Sequence, residues 1–165
     1  MKLYTFAAAM TMAAGAFAQG VFTGTLDAAD PVFNRPLATG TGLSGVGTAV
    51  AYETYTWTPT TAGTAIFEMG SEDFDTFIFA YQPSFDPLAP LGNFLVGQDD
   101  FSGTPNYIAS AGFMSRITGT VAAGSPVVVV ATTFGNGEVG NYEVAFYQPT
   151  PPGPGDQWDG ELTAT

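Results

Sequence analysis

The chain has 165 residues, a formal net charge of −12, 21 Gly, 12 Pro, and neither Cys nor His. That length suits one domain with a core of its own. Without Cys there are no disulfides, and without His there is no Ser-His-Asp triad and no His-ligated zinc. The acidic balance excludes nucleic acid and anionic membrane as natural partners, since both need clustered Lys or Arg.

Residues 1–18 read as a secretory signal peptide. Lys2 supplies the positive n-region, Leu3 to Phe17 is apolar or small, and Ala16-Phe17-Ala18 is an A-x-A cleavage site before Gln19. The apolar run is short for a membrane span. The expectation is a secreted or extracellular protein, the cell surface included, with no membrane span after cleavage. Removing the signal leaves Arg35 and Arg116 against 15 acids and no Lys for Schiff-base chemistry. Fourteen Phe and seven Tyr are too many for a disordered acidic chain.

The mature chain lacks helical periodicity. Short β-branched and aromatic runs alternate with Gly, Pro, Asn and Asp, which predicts an all-β fold. Val21 to Leu26 is the first predicted strand. Asp30-Pro31 to Pro36 is a turn or loop, and Thr39 to Gly47 a Gly-rich mobile connection. That connection contains G-x-G but neither the Lys of a phosphate loop nor a following helix. Ala49 to Thr58 alternates, with Ala51, Glu53, Tyr55 and Trp57 on one face and Tyr52, Thr54, Thr56 and Thr58 on the other. Glu53 interrupts the first face and is expected near a strand end or an edge. Thr60-Thr61-Ala62-Gly63 leads into a strand from Thr64 to Met69, and Val121-Ala122-Ala123-Gly124 into Val127 to Val130. Each Ala-Gly turn predicts a hairpin with Gly at positive φ. The four valines, apolar on both faces, belong in the middle of a sheet. Gly135-Asn136-Gly137 is a turn, and Asn141 to Tyr147 closes the fold with Tyr142, Val144 and Phe146 on one face. About eight strands over residues 19–148 make a jelly-roll-like antiparallel β-sandwich.

The stretch from Ser71 to Ser102 carries the chemistry. Glu72, Asp73 and Asp75 precede an apolar strand with Phe77, Ile78, Phe79 and Tyr81. A Pro-punctuated loop from Pro83 to Pro90 follows, and Phe94-Leu95-Val96 ends on Asp99-Asp100. Calcium takes six to eight oxygens and favours loops that converge. Asp73 and Asp75 are two apart, so on extended backbone they share a face. Asp73, Asp75, Asp99 and Asp100 are therefore the predicted calcium ligands, with Glu72 in reserve and Arg116 as a rival partner. Against this stands the ordinary role of Asp at strand ends, capping turns through its own backbone.

Among the aromatics, Phe85, Phe101 and Tyr107 fall in predicted loops and are the candidate binding residues for an extracellular polysaccharide or protein. Tyr52, Tyr55, Trp57, Tyr81 and Phe94 are expected mostly as core or cross-strand pairs. No catalytic residue is predicted. A glycosidase-like carboxylate pair is the one formal alternative.

Residues 149–157 read as an extended Pro/Gly linker. Beyond it, Trp158-Asp159-Gly160-Glu161-Leu162-Thr163-Ala164 echoes Phe22-Thr23-Gly24-Thr25-Leu26-Asp27-Ala28 as aromatic-x-Gly-x-Leu-x-Ala. Chance explains a seven-residue echo, as does a truncated second repeat. A third reading makes 158–165 a donor strand that takes the first strand's place on a neighbouring copy, giving a homo-oligomer or filament by strand exchange. Phe22, Leu26, Trp158 and Leu162 are then the assembly residues.

Asp73-Phe74-Asp75-Thr76, Ile78-Phe79-Ala80-Tyr81, Asp99-Asp100, Ser115-Arg116-Ile117, Ala123-Gly124 and Gly140-Asn141-Tyr142, in that order, resemble the bacterial pre-peptidase C-terminal domain. The similarity covers roughly Phe22 to Phe146. It departs at Ser125-Pro126, where the family has Thr and an aromatic. The resemblance implies a jelly-roll-like sandwich and a non-catalytic accessory module of the type that rides beside secreted enzymes. The functional expectation is a secreted structural or adhesive protein, calcium-stabilised; the alternative is a calcium-dependent carbohydrate- or protein-binding module.

Overall fold

A computed structural model describes residues 20–109 and 111–149. The predicted signal peptide, most of the linker, and Trp158 and Leu162 lie outside the described residues. Among the described residues nine strands form two antiparallel sheets: β1 (Gly20–Leu26), β2 (Val32–Phe33), β3 (Val50–Trp57), β4 (Gly63–Ser71), β5 (Thr76–Tyr81), β6 (Phe94–Gln98), β7 (Phe113–Val121), β8 (Val127–Thr133) and β9 (Gly140–Tyr147). One sheet runs β1-β9-β4-β7, the other β2-β3-β8-β5-β6. With the two-residue β2 set aside, four strands face four, as in a jelly roll.

The alternation of β3 and β9 places the core. Ala51, Ala65, Phe67, Met69, Ile78, Ile117, Val129, Tyr142, Val144 and Phe146 fill the space between the sheets, and Phe67, Met69, Val129 and Val144 are wholly inaccessible. The four valines lie in β8, third of five strands, where both neighbours are paired. Glu53 is not at a strand end, but it does lie along an edge: among the described residues β2 covers β3 only at Val50 and Ala51, and beyond them β3 pairs with β8 alone. Glu53 sits mid-strand on the inward face and accepts hydrogen bonds from the hydroxyls of Tyr142 and Tyr55, which bond each other at 2.8 Å. A carboxylate so satisfied is tolerated where an unpaired one would be expelled.

A second apolar layer covers the outer face of the five-stranded sheet. Phe33, Val50, Phe77, Phe79, Tyr81 and Val130 pack there against Tyr52, Phe85, Phe94 and Phe134. As a result every residue of β5 is buried, which explains its unbroken apolar run.

Three sequence expectations change. Neither Ala-Gly turn makes a hairpin: β3 and β8 belong to one sheet, β4 and β7 to the other. The turns are corners carrying the chain between sheets, and they touch where Gly124 N donates to Pro59 O at 2.8 Å. Positive φ at Gly63 and Gly124 is as expected; a local turn motif does not report which sheet receives the next strand. Val32–Phe33, expected in a loop, pairs with β3. The Gly-rich stretch is tied down: Leu37 N donates to Gly42 O at 2.9 Å, Ser44 N to Arg35 O at 2.8 Å, and Ser44 Oγ accepts from Val46 N and Gly47 N.

Candidate cation site

Antiparallel pairing sets the end of β8, the start of β5 and the end of β6 side by side, with Thr76 opposite Thr133 and Ile78 opposite Gln98. The residues just outside those strands meet on one rim. Asp75 precedes β5, and its carbonyl accepts from Phe134 N at 2.8 Å. Asp99 and Asp100 follow β6. Asp75, Asp99 and Asp100 each offer a carboxylate oxygen within 4.8 Å of the others.

The electrostatics follow from the crowding. Burial, then Asp75 and Asp100, push the Asp99 carboxyl up to about 6, against an opposing pull from Arg35. Burial, Asp100 and Glu138 raise Asp75 as well. Asp99 Oδ1 is buried and has no hydrogen-bond partner among the described residues. A buried carboxylate oxygen without a donor is costly, and a hard cation is the partner type that oxygens at this spacing suit. The residues present thus fit a divalent ion, which Asp75, Asp99 and Asp100 would hold, with the Glu138 charge also felt at Asp75 and Asp99.

Asp73 is not one of the group. Residues 72–74 bend as the chain crosses from one sheet to the other. Ser71 Oγ accepts from Asp73 N at 3.0 Å and Phe74 N at 3.3 Å. Asp73 therefore stays with the four-stranded sheet, its Oδ2 accepting from Asn141 N at 2.8 Å, while Asp75 joins the other. Extended alternation, the premise for pairing them, fails at that bend. Glu72 is also engaged elsewhere, accepting from Gly112 N at 2.9 Å.

Arg35, not Arg116, is the base beside the cluster. Its guanidinium lies 4.1 Å from the Phe77 ring centroid and 4.8 Å from that of Phe134. It donates through Nε and Nη2 to Phe134 O, both at 3.0 Å, and through Nη1 to Pro36 O at 3.2 Å. Burial lowers its pKa, opposed by Asp99, Asp75 and Glu138. Sequence reasoning missed it because Arg35 lies some forty residues before Asp75; only the folded loop over β8 brings it in.

No family model matches the chain, and no curated protein matches it. Nine solved chains are similar. The K1 cleaved adhesin domain of Lys-gingipain from Porphyromonas gingivalis W83 is 14% identical, with a TM-score of 0.40 over 79% of this chain and 91% of that one. The K3 cleaved adhesin domain of the same protein is 15% identical, with a TM-score of 0.37 over 64% of each chain. A cycloisomaltooligosaccharide glucanotransferase from Paenibacillus sp. is 15% identical, with a TM-score of 0.31 over 78% of this chain and 18% of its own. The chain thus spans just under two thirds of the K3 domain and under a fifth of the glucanotransferase.

The three loop aromatics are placed differently from one another. Phe85 is not an exposed platform: it packs on Phe33, Tyr52 and Tyr81 at centroid distances of 5.3, 5.3 and 4.8 Å. Phe101 is half-buried beneath Arg116, 5.1 Å away. Tyr107 is exposed and rests on Tyr147 at 4.0 Å. The loop bearing Phe101 and Tyr107 is held to the outer face of the four-stranded sheet by carboxylates that the sequence did not single out. Glu68, only 1% exposed, accepts from Asn106 N and Tyr107 N at 3.0–3.1 Å and pairs with Arg116 Nε at 3.5 Å. Glu143 accepts from Ala109 N at 2.8 Å. Among the described residues Arg116–Glu68 is the one ion pair within 4.0 Å.

Of the assembly residues, Phe22 stacks on Phe146 at 5.2 Å and 11°, and Leu26 is 1% exposed in the core.

Proposed function

We propose that the chain is an exported, non-catalytic β-sandwich with a structural or adhesive role outside the cell, stabilised by calcium at Asp75, Asp99 and Asp100. The observation that carries the calcium reading is the half-buried Asp99 carboxylate, one oxygen unpartnered, crowded by two other acids at a rim built from three strand ends. The non-catalytic reading is supported by the lack of His and Cys and by the order of motifs resembling the pre-peptidase C-terminal domain. Export is supported by the signal-like residues 1–18. Calcium titration by calorimetry with the mature chain and with Asp75→Ala and Asp99→Ala tests the site. Unchanged affinity and unchanged melting temperature in both variants would remove calcium from the account.

A second reading, a calcium-dependent carbohydrate- or protein-binding module, is favoured by one observation: Tyr107 is exposed beside Tyr147 on a loop that begins at the acidic rim. Binding to a glycan array in calcium and then in chelator separates it from a purely structural role.

A further inference from the structure

Among the described residues β1 is the edge strand of its sheet, bonded to β9 alone, with Val21, Thr23 and Thr25 turned outward and exposed. Three alternating inward positions define its slot. Phe22 stacks on Phe146 and leans on Tyr55 at 5.5 Å. Leu26 is buried. Between them Gly24 lies against the Tyr142 ring and hydroxyl, where a Cβ would collide. Tyr142 cannot withdraw without giving up its bond to Glu53. The slot therefore requires an aromatic, then Gly, then Leu, at every second residue.

Residues 158–162 repeat that pattern in sequence: Trp158, Gly160 and Leu162 fall at every second residue, with the polar Asp159 and Glu161 between them where β1 has Thr23 and Thr25. The echo is confined to the positions that the slot constrains, plus the Ala that follows. We propose that residues 158–162 of one copy occupy the β1 slot on a second copy, pairing with its β9 and displacing its β1. This rests on the terminal-strand reading of assembly and gives it a register: Glu161 opposite Asn141, as Thr25 is in β1.

The exchange is sterically economical. An edge strand peels from one neighbour only, and one aromatic-Gly-Leu set replaces another, so the free-energy change is small and concentration decides occupancy. The stretch 148–157 holds four prolines; a Pro-rich stretch disfavours the tight reversal that its own slot would demand, and at about 3.1 Å per residue in a polyproline conformation it would span roughly 30 Å, enough to reach a second copy. Asp159 would lie opposite Glu143, and like charges facing each other across a ladder disfavour pairing. Occupancy therefore rises with ionic strength.

The chain has no Cys, so single cysteines report cleanly. Mature chains bearing Asn141→Cys are mixed with mature chains bearing Glu161→Cys and oxidised. The expected product is a disulfide-linked heterodimer, increasing with salt and lost when the second chain also carries Gly160→Val. Three results overturn the proposal: no heterodimer; a heterodimer unaffected by Gly160→Val; or a bridge to Thr25→Cys, which would place the segment outside β1. A bridge formed only within one chain in the double variant overturns the choice of a second copy. Should Asn141→Cys fail to fold, Ala145→Cys with Gln157→Cys reads the same register. Calcium titration of the same chains is the separate readout, so loss of the cross-link with an intact calcium response sinks the docking alone.

Discussion

Replacing Asp99 by Asn should raise stability in chelator and abolish the response to calcium. The Asp99 carboxyl is held at about 6 against an ordinary 3.8. An acid whose folded value is raised binds its proton more tightly in the fold, so stability falls as pH climbs from the ordinary value to the raised one and stays lower above it. A rise of about two units is at most ~3 kcal/mol. Asp99 is only partly buried, so solvent screening reduces this to about 1 kcal/mol. For a domain of this size that is about 3 °C in melting temperature. Calcium reverses the sign: an ion at a hundred times its dissociation constant adds about 2.7 kcal/mol, which the carboxylates supply only when ionised. Thermal melts near neutral pH, in chelator and in calcium, should therefore cross. Wild type is the less stable in chelator and the more stable in calcium. A lower melting temperature for Asp99→Asn in chelator would refute the crowding argument, and an undiminished calcium response would refute the ligand assignment.

Glu68→Gln replaces a buried two-oxygen acceptor with one oxygen and one donor, and should cost about 2–3 kcal/mol. Hydrogen exchange should show the amides of Asn106 and Tyr107 losing protection first. Arg35→Lys keeps the charge but loses the fork on Phe134 O and the stacking between Phe77 and Phe134; denaturant titration should show a loss of about 2–3 kcal/mol. Gly24→Val puts side-chain atoms into the Tyr142 ring, an overpacking worth about 1–3 kcal/mol. A full wild-type melting temperature there would mean that β1 does not sit over Tyr142.

The all-β class, the approximate strand count and the inward faces of β3 and β9 follow from period-two alternation, a local property of the chain. The central place of Val127–Val130 follows likewise, because only a strand covered on both sides can be apolar on both. Asp75, Asp99 and Asp100 are readable as acids at strand ends that a loop could gather, and they do meet. The reason they meet is not local, since it depends on β5 lying between β6 and β8, a pairing across residues far apart in sequence. The same long-range order separates Asp73 from Asp75 by sending them to different sheets, and turns two expected hairpins into corners. It also delivers Arg35 to the acidic rim and half-buries Phe85 against the outer apolar layer. Alternation and turn chemistry act over a few residues and belong to the sequence. Which strand ends become neighbours is chosen by burial across the whole sandwich, and only the tertiary structure decides it.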